Sequence, residues 1–219
     1  MKYFFSVFLA ILCCGCGFFI TYNIFKSKEK PLSQKQSIIL TAAASVISLS
    51  AAIFFPMLVS FDDMNPFQML RALSLLYFLI FIGFADFKFM IIPNKMLLIM
   101  LVLGIASYAA ECIVYSSEIA AIATSALLGL AICFIIFYIG KLISRKGMGM
   151  GDIKLAAIIG FFMGLDMAIG ILFWTMILSA LTGIVLIIAK KAKGKTKIPL
   201  APFFFLGTIV SYILYAINA

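Results

Sequence analysis

The chain of 219 residues has no histidine, only eight acidic residues and five cysteines, of which a single pair, Cys13 and Cys16, has Cys-x-x-Cys spacing. Without histidine, the Ser-His-Asp and Cys-His devices are excluded. Without histidine, and with one such cysteine pair where an all-cysteine site uses two, the usual zinc ligand sets are missing too, so no metal and no cofactor are expected. Charge of either sign is scarce, at 11% of residues, where soluble domains carry about 25%. Hydrophobic side chains make up 65% of the chain, and the mean hydropathy is +1.23. These values exclude an ordinary soluble domain and make the lipid bilayer the solvent.

What fills the chain instead is a series of apolar runs, each about long enough to cross ~30 Å of hydrocarbon at ~1.5 Å per residue. The expected fold class is all-α, a polytopic integral membrane helical bundle of about eight transmembrane segments. These run over 3–25, 37–60, 67–86, 95–116, 119–143, 153–164, 167–189 and 199–217. The segment from Ile153 to Gly164 is too short to span upright. It is expected to be tilted, partly re-entrant or packed inside the bundle, and a seven-span reading stays open. Residues 1–219 read as a single membrane-embedded domain.

Positive charge falls in alternate loops. Lys26, Lys28, Lys30 and Lys35 lie in the first, and Lys88 and Lys95 in the third. Lys141, Arg145, Lys146 and Lys154 surround the fifth, and Lys190, Lys191, Lys193, Lys195 and Lys197 lie in the seventh. The intervening loops hold Asp62, Asp63, Glu118 and Asp166 and no basic residue. The positive-inside rule makes the lysine loops cytoplasmic and both termini external. Met1 to Gly17 has only Lys2 ahead of its apolar core and the lysines behind it, the reverse of a secretory leader, so a retained first helix is expected. The net charge of +9 reads as a topology determinant that meets anionic membrane lipids. Spread over short loops, it does not form a nucleic-acid surface. Cys13, Cys14, Cys16, Cys112 and Cys133 read as packing residues.

The acids then narrow the chemistry. Four lie in outer loops, Glu111 lies towards the outer end of its helix, and Glu29 is in the first lysine loop. Asp86 and Asp152 remain, both at helix ends on the cytoplasmic side. Asp86 is followed by an apolar stretch, Phe87 to Ile92 with Lys88 in it, too greasy for a solvated turn, and Pro93-Asn94 restarts the chain as a helix. Asp152 follows the alternating glycines Gly147, Gly149 and Gly151. Capping a helix would account for the aspartate but not for these glycines, which let a backbone approach another backbone or a ligand closely. The run lacks the order of a phosphate loop. Two carboxylates in a partly dry site can share a proton, one activating water while the other polarises a carbonyl. By helix dipoles, Asp152 at a helix N-terminus is expected to be the anion and base, and Asp86 at a helix C-terminus the acid.

Gly149-Met150-Gly151-Asp152-Ile153-Lys154-Leu155 resembles the Gly-x-Gly-Asp motif of the type IV prepilin peptidases, which are integral-membrane aspartic proteases. Asp86 with Ile92-Pro93-Asn94 is similar to that family's first catalytic aspartate and the segment after it. Ile198-Pro199-Leu200-Ala201-Pro202-Phe203 is similar to the start of its last helix, and Gly15 to Asn23 more loosely resembles its first. The resemblance implies Asp86 and Asp152 as catalytic residues. Gly149, Gly151, Lys154, Pro93, Asn94, Pro199 and Pro202 are expected to shape the site or frame a substrate groove.

It implies as substrates prepilin or pseudopilin precursors, whose short basic leader precedes a hydrophobic helix and is cut after a glycine at the cytoplasmic face of the bacterial plasma membrane. Such a leader would be repelled by the lysine loops unless a carboxylate or a lipid headgroup intervenes. Larger members carry a zinc-binding cytoplasmic domain after the first helix, and many methylate the product. Here the short loop 26–36, without cysteine, stands in its place, so the expectation covers cleavage and leaves methylation open. An ion-coupled transporter using the two aspartates is the alternative from another class. Transporter sites, however, sit near the midplane between broken helices.

Overall fold

The computed structural model describes residues 65–144, 148–189 and 198–218. Among these residues all regular structure is helical. The elements are α1 (Pro66–Phe89), α2 (Asn94–Val114), a 3₁₀ turn (Ser116–Glu118), α3 (Ile119–Ser144), α4 (Met150–Ile188) and α5 (Ala201–Asn218). Four of the helices are long and apolar enough to cross a membrane, and α5 is a shorter apolar helix.

The boundaries follow local chemistry. Pro66 opens α1 at the one place where a missing N–H costs nothing, and the Asn65 amide N–H donates to Gln68 Oε1 at 3.2 Å. Met90 closes α1 in the left-handed region (φ 54°, ψ 37°), its N–H bonded to the Asp86 carbonyl at 2.8 Å. Pro93 then caps α2, its carbonyl accepting the N–H groups of Met96 and Leu97.

α1 is the central helix, buried along most of its length. α2 runs antiparallel to it, since Phe67 meets Tyr115 near one end while the short Met90–Pro93 loop joins them at the other. α5 is also antiparallel to α1. Gly83 lies against Pro202, and the Tyr212 hydroxyl donates to the Ala72 carbonyl. α3 packs most extensively on α4, where the backbones of Gly129 and Gly160 are in direct contact and Cys133 fills the space beside them.

α4 holds 39 residues, which at ~1.5 Å each would reach ~58 Å, nearly twice a bilayer's hydrocarbon thickness. It is not straight. Gly164 has φ 72° and ψ −180°, a conformation open essentially to glycine alone. The contacts on either side show that the chain turns back there. Asp152 and Gly183 lie at the end of the bundle where α5 begins, while Phe162 and Met163 lie at the other end, against Arg71 and Tyr212. The first arm, 150–163, is thus a short helix whose residues from Leu155 to Phe162 are all buried. The second arm, 165–188, returns along α5, with Thr175 Oγ1 bonded to the Phe203 carbonyl and Gly170 beside Ser211.

The expected segments 67–86, 95–116, 119–143 and 199–217 match α1, α2, α3 and α5. Segments 153–164 and 167–189 are the two arms of α4, and of the three expected placements for the short one, packing inside the bundle is what is observed. Segments 3–25 and 37–60, the loop 26–36, the lysines of 190–197 and Cys13, Cys14 and Cys16 lie outside the described residues. Cys133 is a buried packing residue, as expected, and Cys112 is a half-buried free thiol.

The Gly164 turn yields a stability prediction. A Cβ there would need a strained backbone and would meet Ser125 Oγ at 2.5 Å. Gly164→Ala is expected to cost roughly 1–3 kcal/mol, read as a lower unfolding temperature in detergent, and an unchanged temperature would contradict the turn.

Candidate active site

Asp86 sits in the last turn of α1 and is 6% exposed. Its Oδ2 accepts the backbone N–H of Ala201, the first residue of α5, at 3.0 Å, and the Leu200 amide faces the same carboxylate. A helix start leaves N–H groups without partners, so Asp86 supplies the acceptor that α5 lacks. Pro199 and Pro202 bracket these donors. Proline has no N–H of its own, so the amides of Leu200 and Ala201 are the ones presented. Gly83, one turn before Asp86, allows the approach, because a Cβ there would already touch the Pro202 Cα at 3.4 Å.

Asp152 is half-buried in the first turn of α4. Its Oδ2 accepts the N–H of Gly149 at 3.1 Å, the side chain reaching back to the residue before the helix. The glycines serve space rather than backbone freedom, for Gly149 has ordinary extended angles (φ −73°, ψ 152°). A Cβ on Gly149 would stand 3.1 Å from the Asp152 carboxylate, and one on Gly151 would stand 3.0 Å from the Ile92 Cβ. The glycine run therefore lies directly against the segment that follows Asp86. Across this seam Lys154 Nζ donates to Asn94 Oδ1 at 3.3 Å. The Asp86 carboxylate is close enough for its charge to act on Asp152.

All the residues expected at the site thus gather at one end of the bundle. Asp86, Asp152, Gly149, Gly151, Lys154, Asn94 and the buried Pro93 meet where α1 ends and α2 and α4 begin, and Pro199 and Pro202 join them at the start of α5. Gly147 lies outside the described residues. One expectation changes. Asp86 faces not only the C-terminus of its own helix but also the N-terminus of α5, so each carboxylate accepts an N–H at a helix start. The dipole asymmetry that separated an acid from a base is therefore reduced. No group of three or more potential metal ligands occurs among the described residues.

Sequence reasoning passed over a second polar cluster, at the opposite end. Arg71 and Glu111 form a fully buried ion pair. The Arg71 guanidinium also lies 3.8 Å from the centre of the Tyr108 ring and donates from Nε to the Phe162 carbonyl at 3.0 Å. A signal was available. Arg71 is a basic residue inside an apolar run and away from every lysine loop, and it and Glu111 stand roughly 17 residues from the short loop joining antiparallel helices, ~26 Å on each at ~1.5 Å per residue. Opposite charges at equal depth in adjacent helices pair.

Residues 73–188 match the Type IV leader peptidase family. That span is more than half of the chain and contains both aspartates. The chain belongs to this family. It is also similar to the prepilin leader peptidase/N-methyltransferase of Bacillus subtilis (strain 168), with 30% identity over 146 residues. That alignment covers 67% of this chain and 56% of the relative, so the chain spans little more than half of the relative's length. No solved structure matches it. Membership fits an all-helical, membrane-embedded chain with its two aspartates at helix ends.

The Lys154–Asn94 contact can be weighed in this leader-peptidase family member. Both side chains are exposed, and exposed polar pairs couple by about 0.2–1 kcal/mol. A double-mutant cycle of Lys154→Met and Asn94→Ala on thermal unfolding should therefore give a coupling below about 1 kcal/mol. A coupling several times larger would mean that the contact is shielded in the membrane.

Proposed function

We propose that this chain is an intramembrane aspartic endopeptidase that removes the basic leader from prepilin or pseudopilin precursors. The observation that carries the proposal is the convergence of Asp86 and Asp152, two partly dry carboxylates from different helices, each anchored by a backbone N–H. Family membership and the likeness to a prepilin leader peptidase support the reaction class.

In the proposed reaction the pair shares one proton. The ionised carboxylate takes a proton from water, whose hydroxide attacks the scissile carbonyl carbon, while the protonated carboxyl donates to the carbonyl oxygen. In the collapse of the tetrahedral intermediate the C–N bond breaks, the proton held by the pair passes to the departing amine, and a hydroxyl proton of the intermediate returns to the ionised carboxylate, restoring the shared proton. Neither a metal nor a histidine is required.

Lys88, Lys95, Lys141 and Lys154 all lie at the aspartate end of the bundle, whereas Glu118 and Asp166 lie at the other. By the positive-inside rule this supports a cytoplasmic site in the plasma membrane of a bacterium, with lipid headgroups beside it. A prepilin helix would lie against the bundle with its leader at this face. The exposed Phe87, Met90 and Ile91 next to Asp86 offer apolar surface there. Methylation of the product is left out of the proposal, and so is an ion-coupled transport cycle, which family membership does not favour.

The test is co-expression with candidate prepilins, leader removal being followed by gel shift. Asp86→Asn and Asp152→Asn should each lower cleavage by at least ~10²-fold, the lower end of what positioned acid–base groups contribute, while the protein stays in the membrane. Cleavage that survives either substitution would end the two-aspartate mechanism.

A further inference from the structure

Within the proposed peptidase reaction, on which this inference rests, the cluster at the far end of the bundle has a task of its own. The first arm of α4 ends inside the protein. Its last carbonyls lose their helical partners at Gly164, and in a membrane protein no lipid group can replace them. Three side chains from three helices meet that break. Arg71 of α1 donates from Nε to the Phe162 carbonyl at 3.0 Å, Tyr108 of α2 directs its hydroxyl to the same oxygen at 3.5 Å, and Ser125 Oγ of α3 accepts the Leu165 N–H at 3.4 Å.

Glu111 neutralises Arg71 and is itself fully buried. Asn65 at the start of α1 donates to the second Glu111 oxygen at 3.4 Å, and Ser107 meets Arg71 Nη1, also at 3.4 Å. A weakly placed cation could not be tolerated there. Arg71 is 4% exposed and Glu111 1%, and losing one partner would strand the other's charge.

The two helices pinned by Arg71 are the two that carry the aspartates. Asp86 lies farther along α1 by about 22 Å, and Asp152 lies back along the first arm from Phe162 by about 15 Å, at ~1.5 Å per residue. A slip of one helix past the other by a single residue would displace one carboxylate by ~1.5 Å. Misplacement of ~1 Å is enough to cost ~10²-fold in rate. We propose that Arg71, held by Glu111 and bonded to the Phe162 carbonyl, is a positioning residue that sets the axial register between the Asp86 and Asp152 helices from the opposite end of the bundle.

The experiment uses the full chain in detergent with a prepilin that the wild type cleaves. Absence of wild-type cleavage would count against the peptidase reading, not against the register. Arg71→Lys keeps the charge for Glu111 but loses the fork that also reaches Phe162. Glu111→Gln keeps the shape but releases the guanidinium. For each variant, kcat per folded molecule should fall at least ~10-fold with KM within ~2-fold, since the distant cluster touches no substrate. Wild-type kcat in the folded variants would overturn the proposal. Failure of both variants to yield folded protein would overturn it as well, because the pair would then hold the fold rather than the register.

Discussion

A helix that ends within a bilayer-thick bundle leaves amides and carbonyls that lipid cannot satisfy, so each such end must find a protein partner. The arrangement described above is a set of answers to that demand. α5 begins against Asp86, α4 begins by receiving Asp152 at the amide of Gly149, and the break at Gly164 is met by Arg71, Tyr108 and Ser125. The two aspartates are therefore parts of the fold as well as candidates for chemistry. A carboxylate that completes a helix start is held in place by the backbone, and that is the pre-organisation a reacting group needs.

Close backbone approach is the second theme. Gly129 against Gly160, Gly83 against Pro202, and Gly151 against Ile92 are all contacts that a side chain would prevent. In a membrane no hydrophobic force drives helices together, so small residues that permit dense packing do much of the work of assembly. The same substitution logic thus governs both the interior seam of α3 with α4 and the seam between the two aspartate segments.

Much of this was legible in the chain itself. Apolar runs gave α1, α2, α3 and α5 to within a few residues, because length and hydropathy dominate in lipid. Asp86 and Asp152 stood out because an acid is expensive in an apolar chain, and Pro93, Pro199 and Pro202 marked helix starts by their missing N–H. The partner of Asp86 was not legible. That Ala201, 115 positions away, would donate to it is a fact of tertiary packing, and the helix-dipole argument did not include that donor. Arg71 was hidden differently. Charge counting by loops looks past a cation inside a helix, and its pairing with Glu111 depends on the depth of each in adjacent helices rather than on nearness in sequence.

The short first arm of α4 has one further meaning. From Leu155 to Phe162 it is enclosed by protein, while α3 and the second arm of α4 present exposed apolar faces such as Leu127, Ile135, Leu142, Val185 and Ile188. Bilayers of different thickness act on helices they touch, by tilting or bending them. The helix that bears Asp152 is shielded from that force. Its carboxylate is referenced to neighbouring helices rather than to the lipid, so membranes of differing composition should leave the spacing at the aspartates alone while they reshape the outer surface.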